Sequence, residues 1–502
     1  MMNTRYLFLV IVLSSFSTWS QVEKYTVKSV VIQPINMRFL NDTNVQTHLG
    51  IQPIYEPIQV LPSNAPKRGI SVNLAGDTTS IIEVPAIVIR DENKKGIRPA
   101  VDTYVKLDTS LSLQTAVGAN FQFMRKKWAT KNQLLVGYTN ENFIQQTPTA
   151  FQTVNPNKRS WYADIRSRTV ITPTKMLRIQ AGIDNQFFGH GYRSLIQSEQ
   201  VAPMPFASLH VRFWHFEYGL LYQFLQETDS IRHWKFNATH YLSWNITKKW
   251  NVTLLENVLF QPSDSAFKRG FEVEYLNPIV FFRPQEYSLG SADNVLMSLQ
   301  TSFRSNKQLY YGQVILDEFV LHEIKTRSKW WANKYGIQLG LKGEWKKFQY
   351  LTELNLVRPY TFSHINTNQN AGNLGRPLGH PLGSNFVELI AIIRHHYRNI
   401  QLHYFVDYYL KGFDENTVSW GGNIYQNYVN HPLEYGNTIG QGLTQHTLKM
   451  GLAADYLIHP LNVTAFIQFT GNYSWGELND HLVGGITIGL RSQLFSTRRI
   501  FP

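Results

Sequence analysis

The stretch Asn462–Trp475 reads N-V-T-A-F-I-Q-F-T-G-N-Y-S-W, and its alternation decides the fold class. Val463, Ala465, Ile467, Phe469, Tyr473 and Trp475 share one face of an extended chain, while Asn462, Thr464, Gln468, Thr470, Asn472 and Ser474 share the other. Successive side chains of a strand point to opposite faces, so this is a ribbon with one apolar and one polar side. The pattern recurs. Tyr335, Ile337, Leu339, Leu341 and Trp345 oppose Lys334, Gln338, Lys342 and Glu344; Trp234, Phe236, Ala238 and Leu242 oppose Lys235, Asn237, Thr239 and Ser243.

Two architectures satisfy such ribbons: a sandwich, whose apolar faces meet, and a membrane barrel, whose apolar faces meet lipid and whose polar faces line a lumen. Three features predict the barrel. Many segments run about 9 to 13 residues, the length of a tilted strand crossing hydrocarbon. Aromatic residues sit at strand ends (Trp234 and Trp244, Tyr335 and Trp345, Tyr473 and Trp475), where interfacial girdles belong. Tight turns such as Trp345-Lys346-Lys347 alternate with long Gly- and Asn-rich stretches such as His364 to Asn385. From Tyr104 onward there is room for about 16 to 18 strands at about 22 residues per strand and connection, with the last, near Leu482 to Phe495, pairing with the first.

Composition agrees. Of 502 residues, 14% are aromatic and 17% charged, too apolar for disorder and too polar for a helical membrane bundle. The absence of Cys removes disulfides, thiolate metal sites and cysteine nucleophiles. A net charge of +13 implies a polyanionic neighbour, whether acidic glycan, lipopolysaccharide phosphate or nucleic acid. The N-terminus decides against nucleic acid: Arg5, the apolar run Leu7 to Leu13 and the small-residue tail Ser14 to Ser20 read as a secretory signal over residues 1–20. Residues 21–100 are punctuated by Pro34, Pro53, Pro57, Pro62 and Pro66 and read as an extended periplasmic or plugging segment, leaving 101–502 for the barrel.

No G-x-S-x-G elbow, H-E-x-x-H pair or phosphate-binding loop is present, and no cofactor is implied. His395 and His396 adjoin on a strand and so face opposite ways, which does not suit chelation of one metal ion. Five segments are too unusual for plain barrel strands: Gly182–Leu195, Arg269–Asn294, Gly312–Leu339, Arg358–Phe386 and Gly421–Gly442. In the first, Gly189 and Gly191 permit a sharp turn that places Tyr192 and Arg193 together. In the second, Pro278 and Pro284 put Arg283 and Glu286 in a loop or inward fold rather than a central strand.

Several motifs stand in these segments: G-x-G-Y-R-S-L (Gly189–Leu195), Y-L-N-P-x-x-F-x-R-P (Tyr275–Pro284), S-L-G-S-x-D-N (Ser288–Asn294), L-D-E-F (Leu316–Phe319), W-W-A-N-K-Y (Trp330–Tyr335), R-P-Y-T-x-S-H (Arg358–His364) and H-P-L-G (His380–Gly383). In order and spacing they resemble the RemB family of flavobacterial gliding-motility proteins and, more distantly, the Wzi-type capsule assembly proteins. The resemblance covers roughly Gln180 to Gly442. It implies a non-enzymatic outer-membrane barrel tied to surface polysaccharide or to gliding, with membrane lipid and surface glycan or motility and secretion machinery as partners. Wzi-type proteins carry a helical plug near the N-terminus, whereas the Pro-rich segment here does not read as helical.

The residues themselves leave two roles open for the lumen. Arg193, Arg283, Arg358 and Arg376 offer guanidinium forks for an acidic glycan, with Tyr192 and Trp330 as stacking surfaces for sugar rings. Alternatively these arginines pair with Glu286, Asp293, Asp317 and Glu318 and brace the barrel from within, because unpaired charges in a narrow lumen are costly. A diffusion porin is the competing function, and it requires an open lumen. A lipase or protease would need a triad that nothing in the sequence assembles.

Overall fold

A computed structural model describes residues 31–34, 58–61, 95–125, 128–140, 151–152, 160–174, 176–226, 234–247, 249–261, 293–306, 308–397, 400–415, 417–458 and 463–492. The signal segment lies outside them. Eighteen long strands close into one antiparallel barrel. They are β1 (Lys95–Leu107), β2 (Leu111–Arg125), β3 (Trp128–Thr139), β4 (Ser160–Ile171), β5 (Leu177–Asp184) and β6 (Met204–Phe213). There follow β7 (Phe216–Gln226), β8 (Trp234–Asn245), β9 (Trp250–Phe260), β10 (Asn294–Ser305), β11 (Gln308–Glu318) and β12 (Lys334–Trp345). The last are β13 (Phe348–Val357), β14 (Phe386–Tyr397), β15 (Ile400–Phe413), β16 (Leu443–Ile458), β17 (Val463–Gly476) and β18 (His481–Arg491). A two-residue strand, Phe151–Gln152, adds to β4, and Val31–Pro34 pairs with Ile58–Leu61 apart from the barrel.

Closure is by β18 on β1, with Ile486 opposite Leu107 and Arg491 opposite Asp102. No sheet edge is left open, which is what lets strands cross lipid with every backbone group paired. Among the described residues no helix is long and apolar enough to cross a membrane. The strands do the crossing.

The alternation read from the sequence is the wall of this barrel. Leu242, Leu254 and Leu299 stand side by side on β8, β9 and β10 with their side chains exposed on the outer surface. On the inner surface Lys235, Asn237, Thr239 and Ser243 of β8 are buried, as are Gln338 and Lys342 of β12 and Thr464, Gln468 and Ser474 of β17. Polar groups point inward because the outer face must be apolar against hydrocarbon.

The two ends differ. At one end every connection is a tight turn, from 214–215 to at most 172–176. At the other lie 140–159, 185–203, 261–293, 319–333, 358–385 and 414–442. Exposed Trp214, Trp250, Trp345 and Tyr397 mark the short-turn end, and Trp161 and Tyr473 the loop end.

Candidate functional site

The barrel interior is filled from the loop end. Residues 185–203, between β5 and β6, are buried along nearly their whole length, and so is most of 358–385, between β13 and β14. Their apolar side chains meet inside the barrel. Phe188, Leu195, Ile196 and Val201 from the first segment and Phe362, Ala371 and Leu378 from the second pack with inward Leu221, Leu225, Leu255 and Leu259. Fully burying a Leu or Phe is worth about 1.5–3 kcal/mol, so this dry cluster holds both segments in place. The Ser198 N–H donates to Leu378 O at 2.7 Å and joins the two plugging segments.

Polar groups of the wall complete the docking. The Leu195 N–H donates to Gln313 Oε1 (2.8 Å), Lys342 Nζ donates to His190 O (2.9 Å), and Gln338 Nε2 donates to Arg193 O (3.1 Å). On the second segment, Lys235 Nζ donates to Asn370 O (2.7 Å) and the Phe362 N–H to Asp317 Oδ2 (2.8 Å). The G-x-G of the motif has a local reason. Gly189 sits at φ 118°, and a Cβ on Gly191 would lie 2.4 Å from Glu353 Oε2 and 2.6 Å from Arg193 O.

Glu353 is the polar centre of the plug. Its carboxylate accepts the N–H groups of Tyr192 (2.7 Å) and Arg193 (2.9 Å), the Tyr311 hydroxyl (2.7 Å) and Asn355 Nδ2 (3.0 Å). The Arg193 guanidinium lies 3.6 Å from Glu388 and 3.8 Å from Asp407, all three buried. Glu388 also accepts from His380 Nε2 (2.7 Å) and Asn355 Nδ2 (2.8 Å). The Leu382 N–H donates to His380 Nδ1 at 3.2 Å, so His380 is a neutral ring with its proton on Nε2. Burial pushes the His380 pKa below that of a free histidine, against the pull of Glu388.

Above the plug lies a strap, 414–442. Gly421, at φ 79°, gives its carbonyl to the Tyr360 N–H (3.1 Å) and to Ser384 Oγ (2.7 Å). Asn385 Oδ1 accepts the Gly440 N–H (2.7 Å), and Lys411 Nζ donates to the carbonyls of Leu382, Ser384 and Gly422. The strap meets connection 319–333, which contains the short helix α1 (Leu321–Lys325), in an aromatic cluster. Trp331 stacks on His431 at 4.3 Å and contacts Tyr428, Tyr360 and Trp330 at 4.9, 5.7 and 6.2 Å. Trp330 Nε1 donates to Glu434 Oε1 at 2.6 Å, and this bond holds the exposed Glu434 carboxyl below its usual pKa.

The structure thus separates the sequence-predicted residues. Tyr192 and Arg193 lie inside the plug, Arg193 facing Glu388 and Asp407. Arg358 donates from Nη2 to Trp330 O (3.2 Å) under the aromatic cluster. Arg376, half-buried beside Tyr425, has its pKa lowered by burial. Asp293 accepts from Gln369 Nε2 (3.3 Å), and Glu318 lies 3.3 Å from Lys334 Nζ. Arg283 and Glu286 lie outside the described residues. Sequence reasoning missed Glu353, Glu388 and Asp407, whose signal is a carboxylate on the inward register of a wall strand. It also missed Trp331 and Glu434 as partners of Trp330, and Tyr428 and His431 as partners of Trp331.

No protein-family model matches the chain, and no curated protein matches it. Among solved structures it is similar to Wzi, an outer membrane protein involved in group 1 capsule assembly in Escherichia coli and a carbohydrate-binding β-barrel. The TM-score is 0.56 at 11% identity, over 92% of this chain and 99% of that one. It shares the fold of Wzi. OccD3 of Pseudomonas aeruginosa (TM-score 0.46, 7% identity, 79% of this chain and 90% of that one) and OccAB2 of Acinetobacter baumannii (0.44, 7%, 79% and 97%) are more distant in shape.

Proposed function

We propose that this protein is a non-enzymatic barrel of the outer membrane, exported by its N-terminal signal, that binds cell-surface polysaccharide at its loop end. The observation that carries the reading is the filled interior: residues 185–203 and 358–385 occupy the space through which a diffusion porin would pass solute. A barrel whose interior is packed with its own connections, with a strap across them, is suited to hold something at its surface. The Trp330–Trp331–Tyr428 cluster supplies the aromatic faces on which sugar rings stack, with Glu434 as a hydrogen-bonding neighbour. The shared fold with a carbohydrate-binding capsule assembly barrel and the RemB-like and Wzi-like motifs point the same way. Arg193 serves as a brace in this reading, since it is buried within the plug, whereas Trp330 contacts the glycan. Capsule attachment is the leading role and gliding motility the second, on the strength of the motif resemblance.

The test is binding of purified, detergent-solubilised protein to polysaccharide extracted from the cell surface. Trp330→Ala should weaken binding by tenfold or more without altering heat-modifiable migration on a gel, and unchanged binding would remove the proposed contact. In a planar bilayer the protein should give no large ohmic steps; such steps would favour the porin. A deletion strain scored for capsule retention and for spreading on agar separates the two cellular roles.

A further inference from the structure

The two ends of the barrel differ in charge pattern, the short turns being purely basic and the long loops mixed. The short-turn end has eight connections: 126–127, 172–176, 214–215, 246–249, 306–307, 346–347, 398–399 and 459–462. None contains Asp or Glu, and six contain Lys or Arg, among them Lys126-Lys127, Lys248-Lys249, Lys346-Lys347 and Arg398. At the loop end both signs occur: Asp108, Glu323, Asp414, Glu434, Glu477 and Asp480 stand beside Lys325, Arg327, Lys329, Arg358 and Arg376. The basic turns recur from the β2–β3 connection to the β14–β15 connection, so they encircle the barrel instead of forming one patch.

Four of the six basic turns adjoin an interfacial aromatic. Lys249 precedes Trp250, Lys346 and Lys347 lie between Trp345 and Phe348, and Arg398 follows Tyr397. Lys249, Lys346 and Lys347 are exposed, and Lys346 Nζ lies 4.9 Å from the Trp345 ring centroid. Trp250 Nε1 donates to Thr301 Oγ1 (3.0 Å), which fixes that ring against the barrel wall. Tryptophan and tyrosine settle at headgroup depth, and a lysine beside them carries its ammonium to the phosphate level.

We propose that this rim is a docking collar for the anionic headgroups of phosphatidylglycerol-type lipids in the leaflet at the short-turn end. Charge complementarity selects the phosphate, and the circular distribution selects a ring of lipids over a single protein partner. The collar also accounts for where much of the chain's basic excess goes: it faces the membrane surface opposite the cap. The proposal rests on the barrel alone and stands or falls independently of polysaccharide binding.

The test uses the full chain reconstituted in bilayers containing spin-labelled phosphatidylglycerol or phosphatidylcholine at low salt. Boundary association of phosphatidylglycerol should exceed that of phosphatidylcholine several-fold and converge with it at about 1 M salt, where charges are screened beyond about 3 Å. The combined Lys249→Gln, Lys346→Gln, Lys347→Gln variant should lose a large part of the preference. The loop-end pair Lys325→Gln, Lys329→Gln should keep it. Equal association of the two lipids with the unaltered protein would overturn the proposal. So would a preference lost with the loop-end pair and retained by the collar variant.

Discussion

The carboxylate of Glu353 accepts the backbone N–H of Arg193 at 2.9 Å across 160 residues of sequence, while the Arg193 side chain turns away toward Glu388 and Asp407. One residue of the plug is thus held to the wall twice, by its main chain on β13 and by its charge on β14 and β15. A buried carboxylate is tolerable only when its lone pairs are met, and Glu353 meets four donors. The plug is therefore a registered part of the barrel rather than a loop resting in it.

Glu353→Gln tests that relationship. The amide keeps the shape but replaces one acceptor oxygen with a donor, which then faces a backbone N–H or the Tyr311 hydroxyl. The expected cost is roughly 3 kcal/mol, that of lost charge-assisted bonds with a donor stranded in the interior. Urea unfolding in detergent, with limited proteolysis of residues 185–203, would register it. An unchanged midpoint and an uncut plug would mean that Glu353 does not secure the segment.

Gly191→Ala addresses the same contact from the other side. Its Cβ would enter the space of Glu353 Oε2 and of the Arg193 carbonyl, and the carbonyl cannot yield as a side-chain end can. Overpacking of this kind costs about 1–3 kcal/mol. The plug should become cleavable while the barrel still shows heat-modifiable migration. Gly436→Ala, at a position where the Cβ meets nothing within 4 Å but φ is 80°, should leave the plug protected and affect only the strap.

How much of this was legible in the sequence follows from what alternation encodes. Period two tells which face a residue takes, so the wall, its closure and the inward position of Lys235, Gln338 and Lys342 were readable from Trp234–Trp244 and Tyr335–Trp345. Gly182–Leu195 and Arg358–Phe386 were two of five segments too unusual for plain strands, and the pattern did not tell that these two would fill the interior. Alternation says nothing about which residues face one another across the lumen. Asp293, Asp317 and Glu318 stood out because they lie in conspicuous motifs, yet Glu388 and Asp407 are the acids that face the Arg193 guanidinium. That pairing is set by closure of the cylinder and by the depth to which 185–203 descends. Likewise Trp330 was conspicuous, but Glu434, which accepts its indole N–H, comes from a strap about a hundred residues away in the chain.

Leu299→Arg probes the outer face. Leu299 is exposed beside Leu254 on the belt that meets hydrocarbon. A charge there should cost about 2–4 kcal/mol near the bilayer midplane. Folding into vesicles, followed by gel shift across a urea series, would measure it. Gln300→Arg, one residue along and buried on the inner face, should instead disturb the plug beneath Gly189. Equal tolerance of both arginines would contradict the assignment of the two faces.

The neutral His380 makes plug docking dependent on pH. In the folded protein burial holds its pKa below the free value of about 6.5, so the unfolded chain takes up the proton first as the solution is acidified. The stabilisation is fully present above pH ~6.5 and is lost as pH falls from there through the folded pKa, with a slope of at most ~1.4 kcal/mol per pH unit for one proton. Glu388, Arg193 and Lys411 act on the ring, the acid opposing its loss of affinity for the proton and the two bases reinforcing it. His380→Gln keeps a donor toward Glu388 and cannot titrate. Unfolding midpoints taken between pH 5 and 8 should therefore fall less steeply in the variant than in the unaltered protein. Parallel curves would show that His380 shares its protonation state between the folded and unfolded chains, and the hydrogen bond to Glu388 would then be no guide to the plug's response to acid.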